Sequence, residues 1–519
     1  MANPLKKLAG ETAVYGLSSI LARVLNFLFV PIYTRMLTQS EYGVVTEFMA
    51  YIAILQVVLV LGLETGCFRF ANKEDADPKA VYSNALLAVF GLNAAFLAVM
   101  IAFSGPIASA LGYAGFGAMI SYVAGILFCD SLTAILFAKL RQEHKAVKFA
   151  VIKTVKILTE TASNLVLFFW FPGFCAAHAL QPRLISATPD FTYPIFAIFI
   201  SCVLCLLIFL PELLRFRYRF DRKLLGKMLL YSLPLMVAAL PGVANDFLDR
   251  ILFRYFDTNS EAWRASLGVY QAAVKLAVIM NLFIQMFRYA AEPFFFQRAR
   301  DKGSKELYAV VMEFFTAFCG LVFLGVILYI DVISLFLGRD FRAGVGVVPI
   351  MLLSYMLLGM LFNVSMWYKL SGKTDMAIWI TLAGLIVTAV VNIVFMPRYS
   401  YWASAFGHLA SYLVMFAISA ALGAKYYPIP YRWGRLLLIF LLMGVFYGAA
   451  RLIGNQFFPQ GGLNWLQLGI NTVLILGYCA ALYPLLKPAW RQMQTLKGSL
   501  AAKRSVAAAD GVGEIAVVQ

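Results

Sequence analysis

A run of about fifty residues, from Ala80 to Cys129, contains no Asp, Glu, Lys or Arg. As a single α-helix this run would extend about 75 Å at 1.5 Å per residue, whereas the hydrocarbon core of a bilayer is only about 30 Å thick. The chain must therefore turn back within the run. We expect the turn at Ser104-Gly105-Pro106, because Gly and Pro interrupt helical hydrogen bonding.

Similar apolar runs cover most of the 519 residues. Hydrophobic residues make up 62% of the chain and charged residues only 13%, about half the charged share of a soluble domain. The runs lack the in–out alternation of β-barrel strands, so we predict an all-α polytopic membrane protein. It would have about 14 transmembrane helices, near 13–33, 43–64, 81–103, 115–138, 150–170, 192–213, 226–249, 267–290, 308–330, 346–368, 376–396, 401–424, 435–454 and 464–486.

Positive charge is unevenly divided between the loops on the two sides of the membrane. With the N-terminus placed in the cytoplasm, about 29 of the 43 Lys and Arg residues fall in inner segments and about 9 in outer ones, as the positive-inside rule requires. We therefore predict that both termini are cytoplasmic. The net charge of +17 is scattered over many short loops, which argues against nucleic-acid binding.

An arginine-rich segment near the middle divides the predicted helices into six before it and eight after it. We predict an N-lobe of helices 1–6 (residues 1–214), a basic cytoplasmic linker (215–228), a C-lobe of helices 7–12 (229–424), two extra helices (425–486) and a disordered cytoplasmic tail (487–519). Six helices return the chain to the same side, so the two lobes would be related by a pseudo-two-fold axis along the membrane normal.

The two predicted lobes share a faint repeat. In each, an Asn and an Arg nine residues apart precede a Gly/Val/Tyr cluster that opens the next helix, at residues 42–45 and 268–270. Two six-helix bundles related in this way would enclose a central cavity.

The fifth predicted helix carries polar side chains on one face. Lys153, Lys156, Glu160 and Asn164 are spaced at i, i+3, i+7 and i+11, and Lys156 and Glu160 are placed to pair. Charges inside a bilayer cost about 2.5–3.5 kcal/mol each, so they are candidates for function. The alternative is that the two lysines lie at the cytoplasmic end of the helix and extend to the membrane surface.

Other polar residues within predicted spans extend this candidate set. The predicted cationic cavity comprises Arg23, Lys153, Lys156, Lys275 and Arg288, and the polar cavity residues are Ser19, Asn26, Asn164 and Gln271. The candidates for ion coupling are Glu64, Asp130, Glu160, Asp246 and Asp249. Two alternatives remain open: a simple pair between Arg288 and Glu292, and an ordinary interfacial cluster of Asp249 with Arg250 and Arg254.

Signatures of an enzyme are missing from the sequence. Gly372-Lys373-Thr374 lacks the rest of a phosphate-binding loop, and no strand is predicted before it. The histidines His144, His178 and His408 are scattered and form no metal-ligand set. We therefore predict a transporter, with no catalytic residue, no cofactor and no metal.

The segment from Pro31 to Gly43, PIYTRMLTQSEYG, and the turn Leu370-Ser371-Gly372-Lys373-Thr374 resemble the polysaccharide transporter (O-antigen flippase, Wzx-like) family of the multidrug/oligosaccharidyl-lipid/polysaccharide exporter superfamily. The resemblance implies a monomeric protein of a bacterial inner membrane. It would move undecaprenyl-pyrophosphate-linked oligosaccharide, such as a lipopolysaccharide O-antigen unit, to the outer leaflet by alternating access. Membrane potential or an ion gradient would drive the transport, and a glycan polymerase and a chain-length regulator would be partners.

Two other transport functions fit the same fold. One is an ion-coupled multidrug exporter, although a cavity for cationic drugs should be acidic or aromatic rather than basic. The other is a peptidoglycan lipid precursor flippase, since fourteen helices are typical of that branch. A glycan polymerase or transferase would need a large catalytic loop, and no predicted loop is large enough.

Overall fold

The computed structural model of the chain describes residue 16 and residues 20–72, 77–179, 182, 185–258, 262–298, 303–457 and 464–515. Within residues 495–515, and at Pro293 and Gln297, only the backbone is described.

The first half of the described chain is helical. It contains α1 (described over 20–28), α2 (Val30–Met36), α3 (Gln39–Leu59), α4 (Leu63–Ala71), α5 (Pro78–Ala102), α6 (Ser104–Ala110), α7 (Gly117–Gln142), α8 (Ala146–Leu165), a π-helix (Val166–Trp170), α9 (Phe171–Ala177) and α10 (Thr192–Arg215).

The second half is helical as well. It contains α11 (Arg222–Phe256), α12 (Trp263–Arg298), α13 (Ser304–Leu328), α14 (Ile330–Ser334), a 3₁₀-helix (Arg339–Val347), α15 (Val348–Val364), α16 (Met366–Leu370), α17 (Met376–Tyr399), α18 (Tyr401–Tyr426), α19 (Trp433–Phe457) and α20 (Trp465–Ile515). No strand occurs among the described residues, which confirms the predicted all-α fold.

Twelve spans within the described chain are long and apolar enough to cross a membrane. They match twelve of the predicted helices. The other two predictions are 13–33, which begins outside the described residues, and 150–170. The second is α8 with the π-helix, and its charged residues Lys148, Lys153, Lys156 and Glu160 reduce its apolar character.

Local sequence determines how several helices begin and bend. Thr38 caps α3 through a capping box with Glu41. Between α3 and α4 the chain bends at Leu61 and Gly62, both with positive φ. The fold-back predicted at Ser104-Gly105-Pro106 is the short helix α6. The last helix continues to Ile515, and the alanines that follow residue 487 favour helix; the disordered tail over 487–519 stays a prediction.

The described residues form two compact units. The first takes in residues up to Lys275, Leu337–Val347 and Thr381–Ser411, and the second Leu276–Phe336, Val348–Ile380 and the residues from Tyr412 onward. The first unit has a core of buried side chains that includes Leu63, Tyr82, Ile135, Phe209 and Met228. The second contains a cluster of buried side chains around Ala291, Phe295, Tyr308 and Met366. The division into lobes at 215–228 stays a prediction.

Candidate functional site

The polar face of α8 is built around an ion pair with a neighbouring helix. Lys156 Nζ lies 2.5 Å from Asp130 Oδ1 on α7. Spacing along one helix suggested Glu160 as the partner, but such spacing carries no information about an acid on another helix. Two predicted site residues, one cationic and one acidic, are therefore bound to each other.

Asn164, further along this face, joins two helices. The Tyr33 hydroxyl of α2 donates to Asn164 Oδ1 over 3.0 Å, and Asn164 Nδ2 donates to the Glu160 carbonyl over 2.9 Å. Asn164 is fully buried, so its role in the structure is to hold α2 against α8. Of the other predicted polar residues, Asn26 is exposed and Ser19 lies outside the described residues.

A basic cluster surrounds the start of this face. Lys153 is half-buried, and Lys156, Arg141 and Arg23 lie within electrostatic range of it, together with the acid Glu64. The Arg141 guanidinium donates a short hydrogen bond to Glu64. We call Arg23, Arg141, Lys153 and Lys156 the basic cluster. Four cations against the three carboxylates of Glu64, Asp130 and Glu160 leave the cluster a formal charge of +1.

Lys275 of α12 is a cation within a predicted span whose charge has no counter-ion among the described residues. The described residues give it no hydrogen bond or ion pair, and the charge that acts most clearly on it is the like charge of Arg250. One turn earlier, the buried Oε1 of Gln271 also lacks a partner within the described chain. This segment therefore carries a positive charge and a buried acceptor that the described part of the chain does not satisfy.

Arg288, in the second unit, does not pair with Glu292 as its spacing allows. The Arg288 guanidinium lies 4.7 Å from the ring centroid of Phe362. Glu292 Oε1 instead accepts from Lys369 Nζ at 2.5 Å. The alternative of a local Arg288–Glu292 pair is therefore wrong, and Arg288 is held by a cation–π contact.

A buried polar network connects α11, α17 and α18. Asp249 Oδ2 lies 3.1 Å from His408 Nε2, and both side chains are buried. One turn away, Asn245 Oδ1 accepts from Thr388 at 2.6 Å and from Ser411 at 2.9 Å. In the sequence His408 is one of three scattered histidines that form no metal-ligand set, and no local spacing relates it to Asp249. The remaining ion-coupling candidate on α11, Asp246, is exposed.

A second buried acid, Glu47 of α3, binds an arginine of α11. Glu47 is fully buried, and its Oε1 accepts from Arg254 Nε at 2.7 Å and from the Tyr51 hydroxyl at 2.9 Å. The hydroxyl of Tyr113 donates a short hydrogen bond to the other carboxylate oxygen. Arg254 also donates to the Leu111 carbonyl at 2.7 Å. These contacts join the third helix to the eleventh at the end of the helices that the charge distribution predicts to be outer.

Close backbone contact accompanies this ion pair. A Cβ added to Gly43 of α3 would overlap the carbonyl oxygen of Arg264, and one added to Gly268 of α12 would overlap that of Gln39. The residue that each added Cβ would overlap lies four positions before the other glycine: Arg264 precedes Gly268, and Gln39 precedes Gly43. The contact is therefore two-fold symmetric, and it pairs the two clusters of the faint sequence repeat. We call it the glycine contact.

A family model described as polysaccharide biosynthesis protein matches residues 8–299, more than half of the chain. No curated protein sequence matches this chain. Among solved structures, the lipid II flippase MurJ in an inward closed conformation has a TM-score of 0.68 at 13% identity, covering 90% of this chain and 98% of that one. An inward-facing multidrug resistance MATE family transporter of the MOP superfamily has 0.57 at 12% identity, covering 80% and 95%.

A MOP superfamily transporter from Pyrococcus furiosus, described as having a binding pocket of reverse polarity, has a TM-score of 0.53 at 12% identity. The match covers 81% of this chain and 95% of that one. At these identities the likeness shows a shared fold.

Proposed function

Because this chain belongs to the polysaccharide biosynthesis protein family, we propose that it is a flippase for undecaprenyl-pyrophosphate-linked oligosaccharide. It would move this substrate from the inner to the outer leaflet of a bacterial inner membrane by alternating access. The fold is that of multi-pass membrane transporters, and this supports transport as the function.

The positive charge of Lys275, which has no counter-ion among the described residues, is the observation that carries the proposal. A cation at the middle of a span costs about 2.5–3.5 kcal/mol, and no acid among the described residues offsets this cost. A diphosphate brings negative charge and oxygen acceptors, so bound substrate would supply the missing counter-ion. The basic cluster on α8 offers a second region of excess positive charge for the same headgroup.

An apolar groove in the second unit suits the lipid part of such a substrate. It has a volume of about 450 Å³ and is lined by aromatic and aliphatic side chains from α12, α13 and α20, including Phe283, Phe287, Phe318, Trp490 and Met493. A polyprenyl chain is a branched hydrocarbon without polar atoms, so a groove of this composition can bind it through hydrophobic contact alone.

The glycine contact and the Glu47–Arg254 pair support alternating access. They join helices that the sequence assigns to different lobes, at the predicted outer end. In the proposed cycle these contacts close that end while the substrate enters from the cytoplasmic side, and they separate to release it.

Two energy sources are available to this cycle. An anion that leaves a negative-inside cell gains about 2.3 kcal/mol per charge for each 100 mV. The buried Asp249–His408 pair offers a second source. A proton taken up by Asp249 would end its attraction to His408 and change the packing of α11 against α18.

The test is complementation of a deletion strain of the protein's own organism, read out as surface polysaccharide. Lys275→Gln should lower surface polysaccharide by about tenfold to a hundredfold, the value of one charge-assisted contact, whereas Lys275→Arg should retain most of it. Lys425→Gln, at an exposed lysine that stacks on Tyr426, is the matched control. Membrane levels are measured for each variant, and full glycan display by Lys275→Gln would contradict the proposal.

The likeness to the lipid II flippase MurJ favours a second candidate, a flippase for a peptidoglycan lipid precursor. That substrate also carries a polyprenyl diphosphate, so the same cations would serve. Rescue of a strain depleted of its peptidoglycan precursor flippase would support this candidate. A third outcome, drug resistance conferred on a sensitised host and lost when the ion gradient is dissipated, would indicate the multidrug exporter instead.

A further inference from the structure

A polar cavity lies where three spans of the second unit end together. Its volume is about 180 Å³, more than ten times the roughly 10–15 Å³ that one water molecule requires. The end of α13, the short helix α14, the end of α19 and the start of α20 form its walls. Its polar lining residues are Asp331, Tyr447, Arg451, Asn455, Gln467 and Asn471.

The cavity has a preformed shape because its walls are bonded to each other. Asn471 Nδ2 donates to the Leu328 carbonyl over 2.5 Å, and the hydroxyls of Tyr329 and Thr472 lie 2.6 Å apart. These bonds join α20 to the end of α13 and use none of the charged groups in the cavity.

Two opposite charges line this cavity without meeting. Within the described chain, the Asp331 carboxylate has no hydrogen bond or ion pair. Arg451 has only its own neighbour Tyr447, whose hydroxyl accepts from Nε at 3.3 Å. Residues 458–463, which connect α19 to α20, include no charged side chain and so provide no counter-ion. An acid and a base held apart across a polar cavity fit a ligand that carries both charges.

The surface on either side of the cavity is apolar and faces outward. Leu452, Trp465 and Leu466 are all strongly exposed, and a tryptophan at the start of a span is typical of the membrane–water interface. A ligand in this cavity would therefore have acyl chains of the bilayer beside it.

We propose that the cavity binds the headgroup of a zwitterionic phospholipid with a primary ammonium group. The phosphate contacts the Arg451 guanidinium, the ammonium donates to Asp331, and the acyl chains lie along the exposed leucines. A trimethylated headgroup has no N–H to donate to Asp331, so the site prefers phosphatidylethanolamine to phosphatidylcholine. The site gives α19 and α20 a role that does not depend on the transported substrate.

The full-length protein in detergent is titrated with phosphatidylethanolamine, phosphatidylcholine or phosphatidylglycerol of the same acyl chains, and thermal unfolding is followed. We expect phosphatidylethanolamine to bind about tenfold more tightly than phosphatidylcholine, the value of one charge-assisted hydrogen bond. Asp331→Asn should remove this preference, and Arg451→Gln should weaken both lipids. Arg398→Gln is the matched control, because Arg398 also stacks on a tyrosine, at 5.7 Å from the ring of Tyr399.

Four results would overturn the proposal. The first is equal binding of the two zwitterionic lipids by the unaltered protein. The second is a preference for phosphatidylglycerol, which would make Arg451 a site for anionic lipid without Asp331. The third is stabilisation by soluble phosphoethanolamine at the same concentration as the lipid, because this would show that binding does not involve the acyl chains. The fourth comes from the exchanged variant Asp331→Arg/Arg451→Asp, which tests whether the two residues simply pair with each other. Recovered stability with no lipid preference in either protein would show that they do.

Discussion

Replacing Gly268 by alanine puts a methyl group into the glycine contact. The added Cβ would lie about 1 Å closer to the Gln39 carbonyl oxygen than real Cβ atoms approach any neighbour. The obstacle is backbone, which cannot move aside as a side chain can. Helices α3 and α12 must therefore separate by about this distance wherever the contact forms.

Overpacking of this kind costs about 1–3 kcal/mol. In the proposed cycle only the state with this end closed would bear the cost, because the contact would be broken in the state with the end open. The equilibrium between the two states should shift toward the open one by about 5- to 150-fold. Gly43→Ala should act equally, because its Cβ would meet the Arg264 carbonyl oxygen in the symmetric half of the contact.

Distances between spin labels at Ser109→Cys and Tyr399→Cys measure this equilibrium. Both positions are exposed and lie in the same compact unit as the contact. Cys479, the exposed cysteine among the described residues, is first replaced by serine. The alanine variants should increase the share of long distances. Gly91→Ala, whose Cβ would meet nothing within 4 Å, should leave the distances unchanged.

The double variant Gly43→Ala/Gly268→Ala gives the sharper test. Once one alanine has separated the helices by about 1 Å, the second has little left to displace. Its additional effect should therefore be much smaller than its effect alone. Full additivity of the two shifts, or unchanged distances in both single variants, would refute the assignment of the glycine contact as the closing contact.

Three further predictions concern the buried charges. Lys156→Gln leaves Asp130 unpaired and should lower stability by about 2 kcal/mol, and adding Asp130→Asn should recover part of the loss, as measured by thermal unfolding. Glu313→Gln should lower the free energy of unfolding by about 3–5 kcal/mol, because the buried Glu313 carboxylate is the partner of Arg432 and Arg435. Limited proteolysis should then cut the variant more rapidly near α19. Unchanged stability would contradict this prediction. Glycan transport driven by a pH gradient across inverted vesicles should lose its dependence on that gradient in Asp249→Asn while binding of substrate persists, and an unchanged dependence would remove Asp249 from the coupling.

The positions of the helices could be predicted from the sequence because the bilayer imposes one rule on every span. A stretch of about twenty apolar residues satisfies that rule wherever it packs. The predicted helix 81–103 therefore coincides closely with α5, and the predicted helix 115–138 with α7. The same rule explains why α8 is not among the twelve apolar spans. Its lysines break the apolar pattern, and Asp130, which compensates one of them, lies on a different helix.

Partners between helices could not be predicted, because spacing identifies a face but not what the face meets. Glu47 and Arg254 are 207 positions apart and Asp249 and His408 are 159 apart. No periodicity of a single helix relates such positions. Local spacing instead favoured Glu160 for Lys156, an assignment that the neighbouring helix overrides. A basic residue on one span and an acid on another can be recognised as partners only when the arrangement of the helices is already known.

The faint repeat differs, because the structure places the glycines of its two clusters in close contact. A two-fold axis brings equivalent positions of two repeats together only at the axis itself, where the same residue must fit against its own copy. A side chain at that point would be present in both repeats, and both copies would have to fit into the same narrow space. Glycine is therefore required in each repeat. Gly43 and Gly268 satisfy this condition, since each meets the residue four positions before the other. Because the two halves of the contact share one interface, neither can open alone, and the closing of this end should be all-or-none rather than gradual.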